Sequence, residues 1–508
     1  MAISPSNRYP RVFMSVLFGF GSQASQASAR NVVITGYAKR VGLGQATVSD
    51  GVVYGPLLSV DEAGVKWGYG SEVHQGVAAA LDQSADLTLY GVSFAEAGGG
   101  AYAEQTFTIT NNSVSGGSLL FTVQGDPNYV EVPITAAMTP AQQATAIYNA
   151  FAVRRDLCAY CPTVPVAGSV DFRWNHKGAR GNLMTIRWVA DGITGSTYAL
   201  TLKTTGVTDS DPSTALDAIA NLRAAIIVCP DNSTSTSVGV PRWVQYVNQR
   251  ADPLTGLRGI VCWAHTGTLS EVTVVTTAVN AHRSAMAWCK KAEDTPIRIA
   301  ARYAAYIIQG TNLDIAANLI NGGRDGVVLR NFRGPVLNSD RITEAEATAA
   351  LNVGACPIRT YPGQPTVGIV VRPITTRFQA VDGSPDYATL NLNCVLVPDD
   401  IADFWEADIP KTYAGWKMEE EDPDNPNEKP AEYVLRPSMF DQYLYDELRS
   451  RQAKGQVVRV EKMLAQNSVK SQVHPLNSDR MLVPNIPLQV ISWFAQAEMT
   501  IRQTTKVA

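Results

Sequence analysis

The sequence predicts a multidomain protein of mixed α/β and α+β class, in which an α/β middle domain is interrupted by a mostly β insertion and followed by a C-terminal α+β domain. Three observations lead to this prediction. The chain has 508 residues, which is too long for a single hydrophobic core. Short apolar strands alternate with helical patterns in two separate stretches, and a run of alternating strands lies between them.

The first predicted element is a strand on a flexible linker. Residues 11–18 are rich in strand-forming side chains, and the run 19–29 consists almost entirely of Gly, Ser, Gln and Ala. The apolar side chains that we assign to this strand are Val12, Met14, Val16 and Phe18. Residues 1–30 are therefore predicted to form an N-terminal arm and linker.

The middle domain is predicted from alternating strands and helices in two pieces of sequence. The first piece has a strand at 31–36, a helix at 71–81 and a strand at 87–92. The second piece has helices at 213–223, 240–250 and 270–290, with strands at 225–229, 259–263 and 297–301. This alternation predicts a mainly parallel sheet with helices on its faces. We assign residues 31–96 and 209–337 to this discontinuous domain.

The insertion spans residues 97–208. Its strand-like segments are separated by Asn, Gly and Asp turns, which is typical of a mostly β domain. One helix is predicted inside it, because Thr139, Pro140 and Gln142 form a start signal with a capping box. An apolar stripe that ends at Phe151 follows this signal.

The remaining residues divide into a C-terminal domain, 338–487, and a terminal strand, 488–508. The domain contains a predicted helix at 438–453 and an acidic, proline-interrupted loop at 419–428. In the terminal strand every second residue from 491 to 501 is apolar, which predicts that one face of the strand is buried. The side chains assigned to this face include Ile491, Trp493, Met499 and Ile501. The two terminal strands either pair within one subunit or are donated to other subunits.

Composition excludes several classes of function. A formal net charge of −4 provides no basic footprint, so direct binding of nucleic acid is not expected. No apolar run is long enough to span a membrane, and the N-terminus lacks the pattern of a signal peptide, which predicts a cytoplasmic product. Only 17% of the residues are charged, and such a surface favours assembly with other subunits.

Candidate catalytic and metal-binding residues are few. Cys158 and Cys161 have the spacing of a redox pair or half a zinc site, but no second pair supplies the remaining ligands. The histidines lie in five separate segments, without paired spacing: His74, His176, His265, His282 and His474. We therefore predict no catalytic, cofactor-binding or metal-binding residues, and no enzyme activity. An α/β enzyme with a β insertion remains an alternative.

Basic side chains cluster in the C-terminal helical region. Acidic residues are interspersed among them, so the cluster is either a contact for an acidic partner or an ordinary solvated surface. Its members are Arg449, Arg451, Lys454, Arg459 and Lys462.

Several short segments occur in a recognisable order along the chain. They are 31–36, 175–182, 222–230, 258–265, 356–359 and 368–376, followed by a helix, a strand at 469–474, the segment 484–487 and a long last strand. In this order they resemble the tail sheath proteins of contractile phages, in particular the Mu-type branch. The resemblance covers most of the chain, and its force lies in the order of the segments.

The resemblance implies a structural subunit that polymerises helically around an inner tail tube and contracts without hydrolysing nucleotide or using a cofactor. It implies that the N- and C-terminal arms add strands to sheets of neighbouring subunits, that the basic cluster faces the tube and that the insertion lies outside. The implied partners are further copies of the chain, a tail tube protein, and baseplate and tail terminator proteins. The implied location is the virion, after assembly in the host cytoplasm. The sheath of a bacteriocin or of a secretion apparatus is a related alternative.

Overall fold

The computed structural model describes residues 30–126, 128–312, 314–323, 326–386, 389–421, 430–466, 469–475 and 477–493. Some sequence predictions therefore lie outside the described residues. These are the N-terminal arm with Val12, Met14, Val16 and Phe18, the last-strand residues Met499 and Ile501, and most of the acidic loop.

The described strands are numbered in chain order. They are β1 Val32–Gly36, β2 Tyr54–Leu57, β3 Leu89–Ser93, β4 Tyr102–Thr110, β5 Gly117–Val123, β6 Val130–Ile134, β7 Ala159–Tyr160, β8 Ser169–Lys177, β9 Ile186–Asp191, β10 Thr197–Thr204, β11 Ile226–Val228, β12 Ile260–His265, β13 Ser284–Trp288, β14 Cys356–Tyr361, β15 Gln364–Val370, β16 Lys417–Met418, β17 Val434–Leu435, β18 Gln472–His474 and β19 Asn477–Leu482.

The described α-helices are α1 Val60–Trp67, α2 Glu72–Gln83, α3 Pro140–Ala152, α4 Ser213–Ala218, α5 Val240–Arg250, α6 Leu269–Val279, α7 Pro296–Thr311, α8 Glu344–Asn352, α9 Asn393–Thr412, α10 Pro437–Ala453 and α11 Val460–Ala465. The start signal predicted at Thr139 acts as expected, because Thr139 forms a capping box with Gln142. Thr268 and Thr343 form further capping boxes at the starts of α6 and α8.

An eight-stranded sheet forms the centre of the molecule, in the order β15-β14-β13-β12-β11-β1-β3-β2. Its six inner strands are parallel, and β15 and β2 are antiparallel edge strands. Helices α1, α2 and α7 pack on one face, and α4, α5, α6 and α8 pack on the other. This arrangement is the mixed α/β class predicted from the sequence.

Close packing of α2 on β1 depends on one glycine. A Cβ atom at Gly76 would lie 2.5 Å from Cγ2 of Ile34, so a larger residue would push the helix off the strand. The contact sets the position of Glu72 at the start of α2, above the carboxyl end of β1.

The inserted segment forms two sheets of its own, β10-β4-β8-β7 and β6-β5-β9. With α3 they enclose a separate hydrophobic core around Phe107, Phe121, Phe151 and Phe172. Aromatic side chains in contact with one another fill this core, which stabilises a small β domain through large buried areas.

Three predictions from the sequence require correction. Residues 297–301 belong to helix α7, not to a strand, because Arg298 alternates with Ile297 and Ile299 in this short window and the helical period emerges only over the whole length of α7. The helix predicted for 270–290 ends at Val279, where Asn280 adopts a left-handed conformation, and β13 follows. The boundary at residue 337 falls inside the middle domain, since β14 and β15 extend its sheet.

Candidate functional site

Four arginines lie at the amino edge of the central sheet. Each comes one to three residues before a strand: Arg30 before β1, Arg223 before β11, Arg258 before β12 and Arg283 before β13. These strands are parallel neighbours, so their amino ends meet at one edge. The sequence analysis did not identify this pattern, although a lone arginine before each buried strand is a signal that could have indicated it.

Helix α9 brings carboxylates to this edge. Asp399 accepts bonds from both terminal nitrogens of Arg283, of which the Nη2 bond measures 2.7 Å. Arg258, whose side chain is 1% exposed, reaches Asp403 at 2.9 Å and Glu406 at 2.7 Å. Paired in this way, the buried charges hold α9 in one orientation, since each would be costly alone.

The start of the described chain belongs to the same cluster. Arg30 donates through Nη1 to the carbonyl oxygen of Thr311 at 3.1 Å, and its Nη2 lies 3.3 Å from Asp400 of α9. Asp400 also lies 3.4 Å from Arg451 of α10, which in addition pairs with Glu447. The side chain of Arg451 is fully buried, so this residue of the predicted basic cluster has no exposed surface for a tube.

Helix α9 faces two cores with different chemistry. Its acidic side chains meet the arginines of the sheet, whereas Ile401 and Trp405 pack with Phe440, Leu444 and other apolar residues of the C-terminal region. Apolar packing therefore joins α9 to the C-terminal core, while ion pairs, together with the buried Val395 at its start, join it to the sheet.

The described end of the chain is packed against the subunit itself. Trp493 is 8% exposed and donates from Nε1 to the carbonyl oxygen of Ala316 at 3.0 Å. Asn393 donates to the carbonyl oxygen of Ile491 at 3.1 Å. Val490 forms an antiparallel bridge with Val457. Of the last predicted strand, residues 491–493 thus pack on α9 and on the loop after α7.

Both chain ends leave the described structure at one junction. Arg30 contacts Thr311 at the end of α7, and Trp493 contacts Ala316 in the loop that follows. On α9, the contact residues of the two ends are Asp400 and Asn393, which a helical rise of 1.5 Å per residue separates by about 10 Å. The terminal arms therefore start close together.

The remaining members of the basic cluster lie on the surface. Arg449 pairs with Asp446 at 3.1 Å and with Glu461 at 2.9 Å, while Lys454, Arg459 and Lys462 are exposed near the turn between α10 and α11.

Strands β18 and β19 form a separate two-stranded antiparallel sheet near the end of the described chain. Within the described residues no third strand pairs with either of them. A two-stranded sheet is marginal in water, and its unpaired edges are templates for further strands.

The carboxyl edge of the sheet has a different arrangement. The chain passes from β1 to β3 on one side and places β11 on the other, so the crevice between β1 and β11 is the topological switch point at which α/β enzymes bind ligands. Arg180 of the insertion lies in this crevice. Its Nη1 is 3.1 Å from Glu72, and its Nε is 3.4 Å from Asp231.

The cysteines predicted as a weak redox or zinc candidate are buried or half-buried thiols. Burial raises the pKa of Cys158 and of Cys161 to about 12, which disfavours the reactive thiolate. Among the residues that the structure describes, no group of three or more His, Cys, Asp and Glu side chains is placed to hold a metal ion.

None of the helices in the described ranges is both long enough and apolar enough to cross a membrane.

Comparison with known proteins gives matches to solved structures only. No protein-family model and no curated protein matches the chain. The sheath tail protein of Desulfitobacterium hafniense has a TM-score of 0.42 and 13% identity, over 94% of this chain and 100% of that one. For the sheath tail protein of Listeria innocua the TM-score is 0.35 and the identity 11%, over 76% and 79%.

A cryo-EM structure of the anti-feeding prophage baseplate matches with a TM-score of 0.39 and 11% identity, over 99% of this chain and 100% of that one. The chain is therefore similar to sheath tail proteins over most of its length.

Proposed function

We propose that the chain is the structural subunit of a contractile tail sheath, which polymerises helically around an inner tube and contracts to drive the tube through a host envelope. One observation carries the proposal: the described chain begins and ends at a single junction. The two-stranded sheet of β18 and β19, which no third strand extends within the described residues, supports it. The resemblance of the ordered sequence segments to contractile-phage sheath proteins supports it.

The arms are long enough to reach other subunits. At roughly 3.3 Å per residue, the extended segment 494–508 covers about 50 Å and the segment 1–29 about 95 Å. Both distances exceed what is needed to cross a neighbouring domain. Strand addition to β18 and β19 supplies ladder hydrogen bonds, each contributing about 0.5–1.5 kcal/mol net.

The contacts of α9 suggest how such a subunit moves. Ion pairs and apolar packing fix α9 to both the sheet and the C-terminal core, so the middle and C-terminal regions move together as one body. In the proposed sheath, the subunits rotate relative to one another during contraction while the exchanged strands keep them linked. The linker 19–29 absorbs the change of angle.

The basic residues proposed to face the tube are now Arg449, Lys454, Arg459 and Lys462. Arg451 leaves the set because it is buried between Asp400 and Glu447. The proposed partners are other copies of the chain, a tail tube protein, and baseplate and terminator proteins, within a virion or a related injection particle such as a bacteriocin or secretion apparatus. An α/β enzyme is disfavoured because Arg180 occupies the crevice that a substrate would need.

Electron microscopy of sedimented protein tests the proposal. Ile491 and Trp493 are unsuitable for substitution, because they pack in the subunit's own core. The test variant combines Met499→Asp with Ile501→Asp, which removes the apolar face of the donated strand. The matched control combines Met499→Leu with Ile501→Val at the same positions.

We expect hollow helical tubes from the wild type and the control, and folded single subunits with an unchanged circular dichroism spectrum from the test variant. Tubes formed equally well by the Asp variant would contradict strand donation by the C-terminal arm. A wild type that never forms tubes, even with purified tube protein, would contradict the sheath function itself.

A further inference from the structure

The inserted domain meets the carboxyl edge of the sheet through a buried cluster of one cation and three carboxylates. Nη1 of Arg180 lies 3.1 Å from Oε1 of Glu72. Nε of the same guanidinium lies 3.4 Å from Oδ1 of Asp231 and 3.8 Å from Oδ1 of Asp209. The four side chains are at most 16% exposed, so water screens these charges weakly.

The cluster has contributions from both sides of the joint. Arg180 follows β8 of the insertion, Glu72 begins α2, Asp231 follows β11, and Asp209 lies in the segment that returns from the insertion. The other titratable groups that interact with members of the cluster are Tyr37, His176 and Cys229. Lys39 and Glu96 lie around His176, and the backbone N–H of Lys177 donates to Glu96.

One guanidinium does not neutralise three buried carboxylates. If all three were ionised, the cluster would hold a net charge of about −2 in a region of low polarity, which is costly. His176 does not supply a second positive charge, because burial and the nearby Arg180 lower its pKa to about 3.

Desolvation also favours the uncharged form of the buried carboxyl groups. Burial raises the pKa of Glu72 to about 7, with Arg180 opposing the shift, and burial likewise raises the pKa of Asp231 to about 6. Near neutral pH the cluster therefore retains a proton that the same carboxylates would lose in water.

We propose that the joint between the inserted domain and the sheet is a proton-dependent latch, which is closed while the Glu72–Asp209–Asp231 cluster holds a proton and loosens when that proton is lost. The latch is a property of a single subunit and does not depend on assembly.

The direction of the effect follows from proton linkage. The closed joint binds protons more tightly than the open joint, whose carboxylates are solvated, so closing is favoured at low pH. For Glu72 the added stability is fully present below its ordinary value of 4.5 and is lost as the pH rises through about 7. Between pH 5 and pH 8 this linkage changes the closing equilibrium about 100-fold.

Hydrogen exchange of the full-length protein, measured by mass spectrometry and corrected for the intrinsic pH dependence of exchange, tests the latch. The informative amides bridge the joint: Arg180 N–H donates to Asp209, Lys177 N–H donates to Glu96, and Gly125 N–H donates to the carbonyl oxygen of Glu293. In the wild type, we expect their protection to fall about 100-fold from pH 5 to pH 8.

Two isosteric variants and one control sharpen the result. Glu72→Gln removes the group from which the 100-fold change follows and should show a much smaller pH dependence. Asp231→Asn removes the second carboxylate with a raised pKa and should show a smaller reduction. If one of them does not fold, the other carries the test. Glu131→Gln changes an exposed carboxylate of the same inserted domain and should behave as the wild type. Two results would overturn the proposal. The first is amide protection in the wild type that, after correction for intrinsic exchange, does not change with pH. The second is a pH dependence of protection in the folded isosteric variants equal to that of the wild type.

Discussion

Ionic contacts close both edges of the central sheet, but the two edges differ in how their charges balance. At the amino edge five arginines meet five carboxylates: Arg30, Arg223, Arg258, Arg283 and Arg451 face Asp399, Asp400, Asp403, Glu406 and Glu447. At the carboxyl edge Arg180 alone faces three carboxylates.

The difference in charge balance indicates which joint of the molecule is rigid. A balanced set of buried pairs compensates its own charges and fixes one geometry, because separating any pair leaves an uncompensated charge. Burial raises the pKa of Asp399 and of Asp400, and the facing Arg283 and Arg30 oppose that shift. An unbalanced set must take up a proton to be stable, so its strength depends on pH. The amino edge, near which the described chain begins and ends, is therefore the rigid joint.

The largest effect is expected at the balanced edge. Arg258→Met leaves Asp403 and Glu406 without their buried partner, although Asp403 keeps its contact with the half-exposed Arg223. We expect the free energy of unfolding to fall by about 3–5 kcal/mol, the usual cost of breaking a buried pair. Urea denaturation measures this quantity, and a loss below about 1 kcal/mol would contradict a rigid ionic joint.

A pH-dependent loss is expected at the unbalanced edge. Arg180→Met removes the cation that partly compensates three acids, so we expect a destabilisation of about 3 kcal/mol at pH 8. At pH 5 Glu72 and Asp231 hold protons, and the loss should be clearly smaller. Denaturation of both proteins at the two pH values measures the difference. An equal loss at both values would show that the edges do not differ as described.

The smallest effect is expected on the surface. Arg449→Ala removes pairs with Asp446 and Glu461, whose side chains are 59% and 63% exposed. Exposed pairs contribute little because water and salt screen them, so the denaturation midpoint should stay within the error of the measurement. A clear shift would mean that exposed and buried pairs contribute alike, which would remove the basis of the comparison.

The sequence by itself determined the order and type of most elements. The apolar run at 31–36, the capping box at Thr139 and the alternating strands of the insertion are local signals, and each produces the predicted element. Such signals depend on neighbouring residues, which is why they can be read from a single chain. They failed where a window was too short to show its period, as at residues 297–301 of α7.

Only the tertiary structure decided which charges meet. Arg30 and Asp400 are 370 positions apart, and Arg180 and Glu72 are 108 apart, so no local pattern indicates either pair. The same holds for Arg451, which the sequence placed in an exposed basic cluster. Helix α10 turns its side chain inward to Asp400, and the burial of that pair was set by the packing of α9 against both cores.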